Sequence, residues 1–309
     1  MRFAPCVLTL VGACGFTPGA GGPVIDADGD GPLLVDADRD APDAGPDAAL
    51  GMWSTPATVD VLNGGPNDDD PALTSDMLEI VFASTRGGGT GGEDIWMATR
   101  GSTSDGWSAP FELAVLNSPV SESNVKISGD GLLITFASNR SPSQAADIWA
   151  ATRPDRSSPF SPPMQVVELS SDAGEWHAHP SFDHLAIVMC SSRDGDEELY
   201  TSGRPSELAV WSKPFPIVGA VSSPENDCDP MMPEPTSELY FASARAGMTG
   251  YDLYVAQPDS ANGFETPTPI AELNSGLNDR DPWVSPDRRT MYFTSARNGN
   301  GDEIFVTTR

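Results

Sequence analysis

The chain is short of positive charge: 17 Lys and Arg stand against 45 Asp and Glu in 309 residues, a net charge of −28. Such a field repels nucleic acid and anionic lipid headgroups, which excludes both as partners of the folded part. It suits a soluble partner, a cation or a basic surface, or serves solubility alone. Histidine is scarce, with three in all, and the four cysteines (Cys6, Cys14, Cys190 and Cys228) form no CxxC pair. Zinc-knuckle and thioredoxin-like sites are thereby set aside. GxSxG and HExxH are both missing, so serine hydrolases and zincins lose their central motif. Gly87–Gly92 satisfies GxGxxG as a pattern, but it joins two strand-like runs, whereas a dinucleotide loop must open a helix. No long stretch has helical periodicity, and no run approaches the ~18 apolar residues of a membrane span.

What is present begins with an export signal. Met1-Arg2 precedes a short apolar stretch to Val11, and small residues lead to Cys14. Leu10-Val11-Gly12-Ala13-Cys14 resembles the bacterial lipobox, which makes residues 1–13 a lipoprotein-type signal and Cys14 the lipidated residue. Gly15 follows without an Asp retention signal, which favours the outer membrane. Residues 14–52 repeat Asp, Ala, Gly and Pro, with eight Asp and one Arg. Too few apolar residues occur there to offset the entropy of ordering, and the segment reads as a disordered acidic tether. Asp26-Ala27-Asp28-Gly29-Asp30-Gly31 imitates a calcium loop, but Ala37 stands where the bidentate Glu belongs.

From Trp53 onward the chain repeats. Phe82-Ala83-Ser84-Thr85-Arg86 returns four times, ending at Arg140, Arg193, Arg245 and Arg297, which are 54, 53, 52 and 52 residues apart. Asp94-Ile95-Trp96 and its copies follow each arginine; Asp70-Pro71 and its copies precede it. Each repeat reads as four short strands. The second strand, such as Leu132–Ala137, is nearly continuous in apolar residues, as when both sheet faces are covered. Trp53-Ser54-Thr55-Pro56 and its copies at Trp107, Phe160, Trp211 and Phe264 open the outer strand of each preceding blade. The last repeat ends at Arg309 after three strands, so the copy at Trp53 is the spare that closes the ring and removes two edges. The fold expected is all-β: residues 53–309 form a five-bladed β-propeller closed by its N-terminal strand.

Ser285-Pro286-Asp287, Ser128-Gly129-Asp130-Gly131 and the Phe-Ala-Ser-x-Arg…Asp-Ile-Trp elements resemble the WD-like propeller repeat of the TolB family. The resemblance implies a propeller, an envelope setting and protein-binding roles. The chain departs from TolB itself in having five repeats rather than six and no room for a separate N-terminal α/β domain.

Two acidic or histidine positions recur before the innermost strand: Asp68, Glu122, His177, Asp227 and Asp279, then Asp70, Asn124, His179, Asp229 and Asp281. In this strand order they gather at one mouth of the central channel. Like charges ~8 Å apart repel by roughly 2 kcal/mol at an effective dielectric of ~20. A bound cation, a basic ligand or the repeat arginines must offset that. Two readings stand, arginine pairing within each blade or a metal or ligand site. In an extended His177-Ala178-His179 both imidazoles share a face. With Asp227 and Asp229 they form a candidate site for a divalent cation, of zinc, nickel or copper type; no other cofactor is expected. Trp176 and Trp283 lie beside the ring and are candidate contact residues. Cys190 and Cys228 fall in neighbouring blades, and whether they bond depends on their Cα separation.

The function expected is a non-enzymatic, monomeric envelope lipoprotein whose channel-mouth face binds a protein or small ligand, with membrane contact through the lipid alone. The alternative is a glycosidase-like hydrolase, which needs two well-placed acids at the mouth. Acids that recur with the repeat argue for a structural duty instead.

Overall fold

The computed structural model describes residues 50–140, 145–245, 250–260 and 263–309. The signal segment, Cys14 and most of the tether lie outside the described residues. No helix occurs among those described.

Each repeat folds as a four-stranded antiparallel meander, and the five copies are the five blades. Blade one is Asp68–Leu73, Glu79–Ser84, Asp94–Thr99 and Phe111–Glu112. Blade two is Glu122–Ile127, Leu133–Ser138, Asp147–Thr152 and Met164–Gln165. Blade three is Glu175–Pro180, Ala186–Ser191, Glu198–Gly203 and Phe215–Pro216. Blade four is Asp227–Met231, Leu239–Ser243, Asp252–Ala256 and Thr268–Pro269. Blade five takes Asp279–Val284, Thr290–Ser295 and Glu303–Thr308 from one end of the chain and Ala57–Thr58 from the other.

The closing strand pairs Ala57 with Val306 and Thr58 with Phe305. Its anchors are Trp53 and Leu62, both buried, and the Arg309 guanidinium lies 4.1 Å from the Trp53 ring centroid. Arg100 on Trp107, Arg153 on Phe160 and Arg204 on Trp211 repeat that stack in other blades. The Trp53 copy therefore does in blade five what its relatives do elsewhere.

Each first strand touches the first strands of both neighbouring blades, and that of blade five touches that of blade one. The five line one channel. Every first strand also carries a bulge at the same place: between Asp69 and Ala72, Ser123 and Lys126, Trp176 and His179, Cys228 and Met231, and Arg280 and Trp283. The bulged residues Asp70, Asn124, His177, Asp229 and Asp281 all have φ between 51° and 58°. Asp, Asn and His are the side chains that best tolerate this left-handed region after Gly, which accounts for their choice here.

Candidate functional site at the channel mouth

Two rings of polar residues sit at the start of the first strands. The outer ring is Asp68, Glu122, Glu175, Asp227 and Asp279, all buried. Its blade-three member is Glu175, and His177 belongs to the inner ring, two residues further along. Each outer acid is held by its own repeat arginine: Asp68 by Arg86 at 2.5 Å, Glu122 by Arg140 at 2.8 Å, Glu175 by Arg193 at 3.3 Å, Asp227 by Arg245 at 2.7 Å and Asp279 by Arg297 at 2.7 Å. The arginine Nε donates to the serine of Phe-Ala-Ser, as Arg297 does to Ser295 at 2.8 Å, and that serine donates to Asp279 at 2.6 Å. A guanidinium nitrogen also donates to a backbone carbonyl of the preceding outer-strand segment, at Leu62, Leu116, Leu169, Val221 and Leu273. The guanidinium planes lie over aromatic rings of the same blade, as Arg140 does on Phe136 and Trp149. The outer ring is thus a set of five blade-to-blade clamps, with its carboxylates already neutralised.

The inner ring closes on one side chain. His177 places Nε2 3.1 Å from Asp70 and 3.0 Å from Asp281, and Nδ1 3.1 Å from Asp229. The Asn124 carboxamide completes the circle 2.8 Å from Nε2. Burial alone would lower the imidazole, but the carboxylates of Asp229, Asp281 and Asp70 outweigh it and raise His177 to about 10. His177 is therefore an imidazolium at neutral pH. Asp281 would be raised by burial, yet His177 and Arg280 hold it well below the carboxylate range. Asp229 is pushed up by burial to about 6 despite the pull of His177. Lys126 stands 3.7 Å from Asp70 and Arg280 3.7 Å from Asp281. Three carboxylates thus face His177, Lys126 and Arg280, the last of which is shared with Asp69 and Asp302 at the rim.

Further acid lies at that rim. Asp69 is raised well above its ordinary value by burial and by Asp70. Glu93 is raised by burial and by Asp70 to about 7, while a hydrogen bond from Asp69 acts to lower it. Arg280, 3.2 Å from Asp69 and 2.6 Å from Asp302, is the nearby cation. Glu93 stands one residue before the repeated Asp-Ile-Trp element; its counterparts Glu197 and Asp302 are acidic too, the one accepting from the Tyr251 hydroxyl and the other pairing with Arg280 at 2.6 Å.

The divalent set expected from sequence is not brought together. His177 and Asp229 meet, but Asp227 is bound by Arg245 and by the Ser223 backbone N–H, and His179 lies on the far side of the bulge. The nitrogen–oxygen donor set that converges is His177 with Asp70 and Asp281. Trp283 is buried beyond the bulge, edge-on to Tyr292, and only Trp176 stays part-exposed near the mouth. Cys190 and Cys228 form a disulfide between blades three and four, with Cα atoms 5.1 Å apart.

No family model and no curated relative matches the sequence. Solved structures do match in fold. The endo-arabinase from Bacteroides thetaiotaomicron is 13% identical, covering 85% of this chain and 98% of its own, with a TM-score of 0.53. The α-L-arabinofuranosidase from Lactobacillus brevis is 11% identical over 82% of this chain and 94% of its own, with a TM-score of 0.50. A TolB from Agrobacterium tumefaciens, the likeness expected from the repeat, is 16% identical over 74% of this chain and 69% of its own, with a TM-score of 0.47. At such identities the likeness concerns architecture alone. By its own strand order, and by likenesses in fold to the two arabinan-type hydrolase structures, the chain is a β-propeller of five blades.

Proposed function

We propose that this is an exported, non-enzymatic binding propeller whose channel-mouth face takes a cationic group of its partner. The observation that carries the reading is the division of acids at the mouth. The repeated acids are bound by arginine and the hub carboxylates face His177, Lys126 and Arg280, so the surplus rests on Asp69 and Glu93, whose raised values mark a site that a cation would relieve. Tetralysine is a suitable probe in calorimetric titration. Binding should be saturable, weaken with salt and fall about tenfold (about 1.4 kcal/mol) in Glu93→Gln. Absence of binding, or binding indifferent to Glu93→Gln, would sink the proposal.

Export is supported by the signal-like segment and by the buried disulfide, since such bonds persist in oxidising compartments. Lipidation at Cys14 and outer-membrane residence belong to the same proposal. Mass spectrometry of the mature protein should find an acylated N-terminal cysteine, and an intact Met1 is the contrary result.

A glycosidase reading has one observation in its favour, the Asp69 and Glu93 pair with Glu93 near 7. The two carboxyls are hydrogen-bonded to each other, however, whereas glycoside hydrolysis needs them about 5–10 Å apart, flanking a bond. Aryl arabinofuranosides should therefore be left intact, and turnover abolished by Glu93→Gln would reverse this assignment. A divalent cation at the hub would have to displace the His177 proton from Asp70 and Asp281. A zinc-dependent rise in melting temperature, present in wild type and lost in His177→Asn, is the outcome that would establish it.

A further inference from the structure

The two nitrogens of His177 face different neighbours. Nε2 meets Asp70 and Asp281, whereas Nδ1 lies 3.1 Å from Asp229 Oδ1 and 3.5 Å from Cys228 Sγ. Cys228 and Asp229 are successive residues in the first strand of blade four, and His177 stands in that of blade three. Cys228 is bonded in turn to Cys190, from the second strand of blade three. None of these four residues is more than 5% exposed. Sulfur, imidazole and carboxylate groups are thus carried by three strands to one place between two blades.

The ligand atoms of His177, Cys228 and Asp229 lie within 4.8 Å of one another, and so do those of Cys190, Cys228 and Glu197. In the disulfide the sulfurs have no thiolate to offer, and the thiolate is the form that binds a metal. The dithiol state differs. It is the state of the newly made chain, and a dithiol reductant restores it, giving two electrons and two protons to the Cys190–Cys228 bond and becoming a disulfide itself. The sulfurs then part, and Cα atoms 5.1 Å apart let both reach one ion between the blades. A tetrahedral zinc, with bonds of about 2.3 Å to sulfur and about 2.0–2.2 Å to nitrogen and oxygen, sets its donors about 3.3–3.8 Å apart. The 3.5 Å between Nδ1 and Cys228 Sγ lies in that range, and the 3.1 Å to Asp229 lies just short of it.

We infer that the dithiol form of the protein binds one zinc ion through Cys190 Sγ, Cys228 Sγ, His177 Nδ1 and the Asp229 carboxylate. Zinc takes the place of three protons, those of the two thiols and the one on Nδ1. Nε2–H stays with Asp70 and Asp281, the carboxylate support that metal-bound imidazoles commonly have. Glu197 is left out because it accepts from the Tyr251 hydroxyl. Two thiolates exclude calcium and magnesium, and a carboxylate in a fourfold set favours zinc over copper(I). Zinc and disulfide are then alternative links between the same two blades, and oxidation of the thiolates expels the metal. The set shares His177 and Asp229 with the one expected from sequence, with two sulfurs in place of His179 and Asp227. It stands or falls independently of the cation-binding proposal at Asp69 and Glu93.

Cobalt(II) is the probe, titrated into the whole chain after unfolding, reduction by excess phosphine and refolding. The reduced chain should bind one cobalt, with sulfur-to-cobalt charge transfer in the near ultraviolet and the d–d bands of a tetrahedral ion in the visible, and zinc should displace it. The oxidised chain should show no sulfur-to-cobalt band. His177→Asn and Asp229→Asn, which both suit the left-handed backbone, should each weaken cobalt by at least about tenfold. A reduced, folded chain without that band overturns the proposal, and so does wild-type affinity in either variant, which is what thiols binding alone would give. Failure of the reduced chain to fold even with zinc also overturns it, since the ion should replace the lost link. If the variants do not fold, X-ray absorption of the zinc-loaded wild type decides: two sulfurs and two lighter donors support the site, and any other number of sulfurs overturns it.

Discussion

The outer and inner rings at the channel mouth are built from residues two apart in the same five strands, yet they obey different rules. The outer ring is the same five times over: one acid, one serine, one arginine and one carbonyl of the preceding outer-strand segment. Each unit is complete in itself, and each ties one blade to the next. In the inner ring the backbone is repeated, with the same bulge and the same left-handed φ, but the side chains are three aspartates, one asparagine and one histidine. No blade there is complete alone, since the single imidazolium is what lets three carboxylates approach. Repetition marks the parts that hold the blades; departure from it marks the part that holds the centre.

That contrast can be tested by substitution, with His177→Asn having the largest expected effect. Asparagine keeps the left-handed backbone but leaves Asp70, Asp229 and Asp281 buried without their shared cation, at a cost of about 5 kcal/mol in urea unfolding at neutral pH. The pH dependence gives the same test another edge. The folded value of His177, about 10, lies above its ordinary 6.5. Its stabilisation is therefore fully present below about 6.5 and disappears as pH rises towards 10. Wild type should lose stability across that window, and His177→Asn should show a flatter profile; parallel profiles would end the hub's distinction.

Next in size is the covalent link between blades three and four. Cys228 stands between Asp227 of the outer ring and Asp229 of the inner, and its bond to Cys190 spans a sequence separation of 38. A Cys190→Ala, Cys228→Ala double variant should lose about 4 kcal/mol on the chain-entropy scale, and an unchanged denaturation midpoint would deny the bond that role. The clamps come third. Arg86→Ala, Arg140→Ala, Arg193→Ala, Arg245→Ala and Arg297→Ala should each cost about 3 kcal/mol, because each strands a buried acid. The five values should agree within about 1 kcal/mol, and one outlier would mean that a clamp has a duty beyond holding its blade. Smallest is Asn124→Asp, which makes the inner ring more nearly regular. It adds a fourth carboxylate beside His177 that no further cation answers, so it should cost about 1–2 kcal/mol at pH 8 and less at pH 5, where the new carboxyl can take up a proton.

The blades were legible because their signals are local and multiplied by five. The apolar run Leu132–Ala137 is the strand Leu133–Ser138 to within one residue, and the spare copy at Trp53 correctly foretold the strand that closes the ring. The phase of blade three was not legible in the same way. His179-Pro180 imitates Asp70-Pro71, Asp229-Pro230 and Asp281-Pro282, and so drew the alignment two residues too far. The correct signal was an acid at the first position, the outer acid Glu175, followed by a residue able to adopt φ near +55° two places later. Composition could not show that the other four inner side chains converge on the His177 imidazole. Nor could it show the pairing of Glu93 with Asp69, because that contact joins a third strand's edge to a bulge in the first strand of the same blade.

The closing strand has a consequence for the order in which the ring can be made. Ala57 must wait for Val306, so the first strand of the propeller to be synthesised has its hydrogen-bonding partner in the last. Four blades are contiguous hairpins that can form as they appear, whereas the fifth is assembled from opposite ends of the chain and carries the longest loop-closure cost in the molecule. Pulse-labelled hydrogen exchange during refolding should find the backbone N–H of Val59, which donates to Ile304, protected after the amides of Glu79–Ser84. The ring is thus open for as long as the chain is incomplete, and closure itself serves as the check that every blade has arrived.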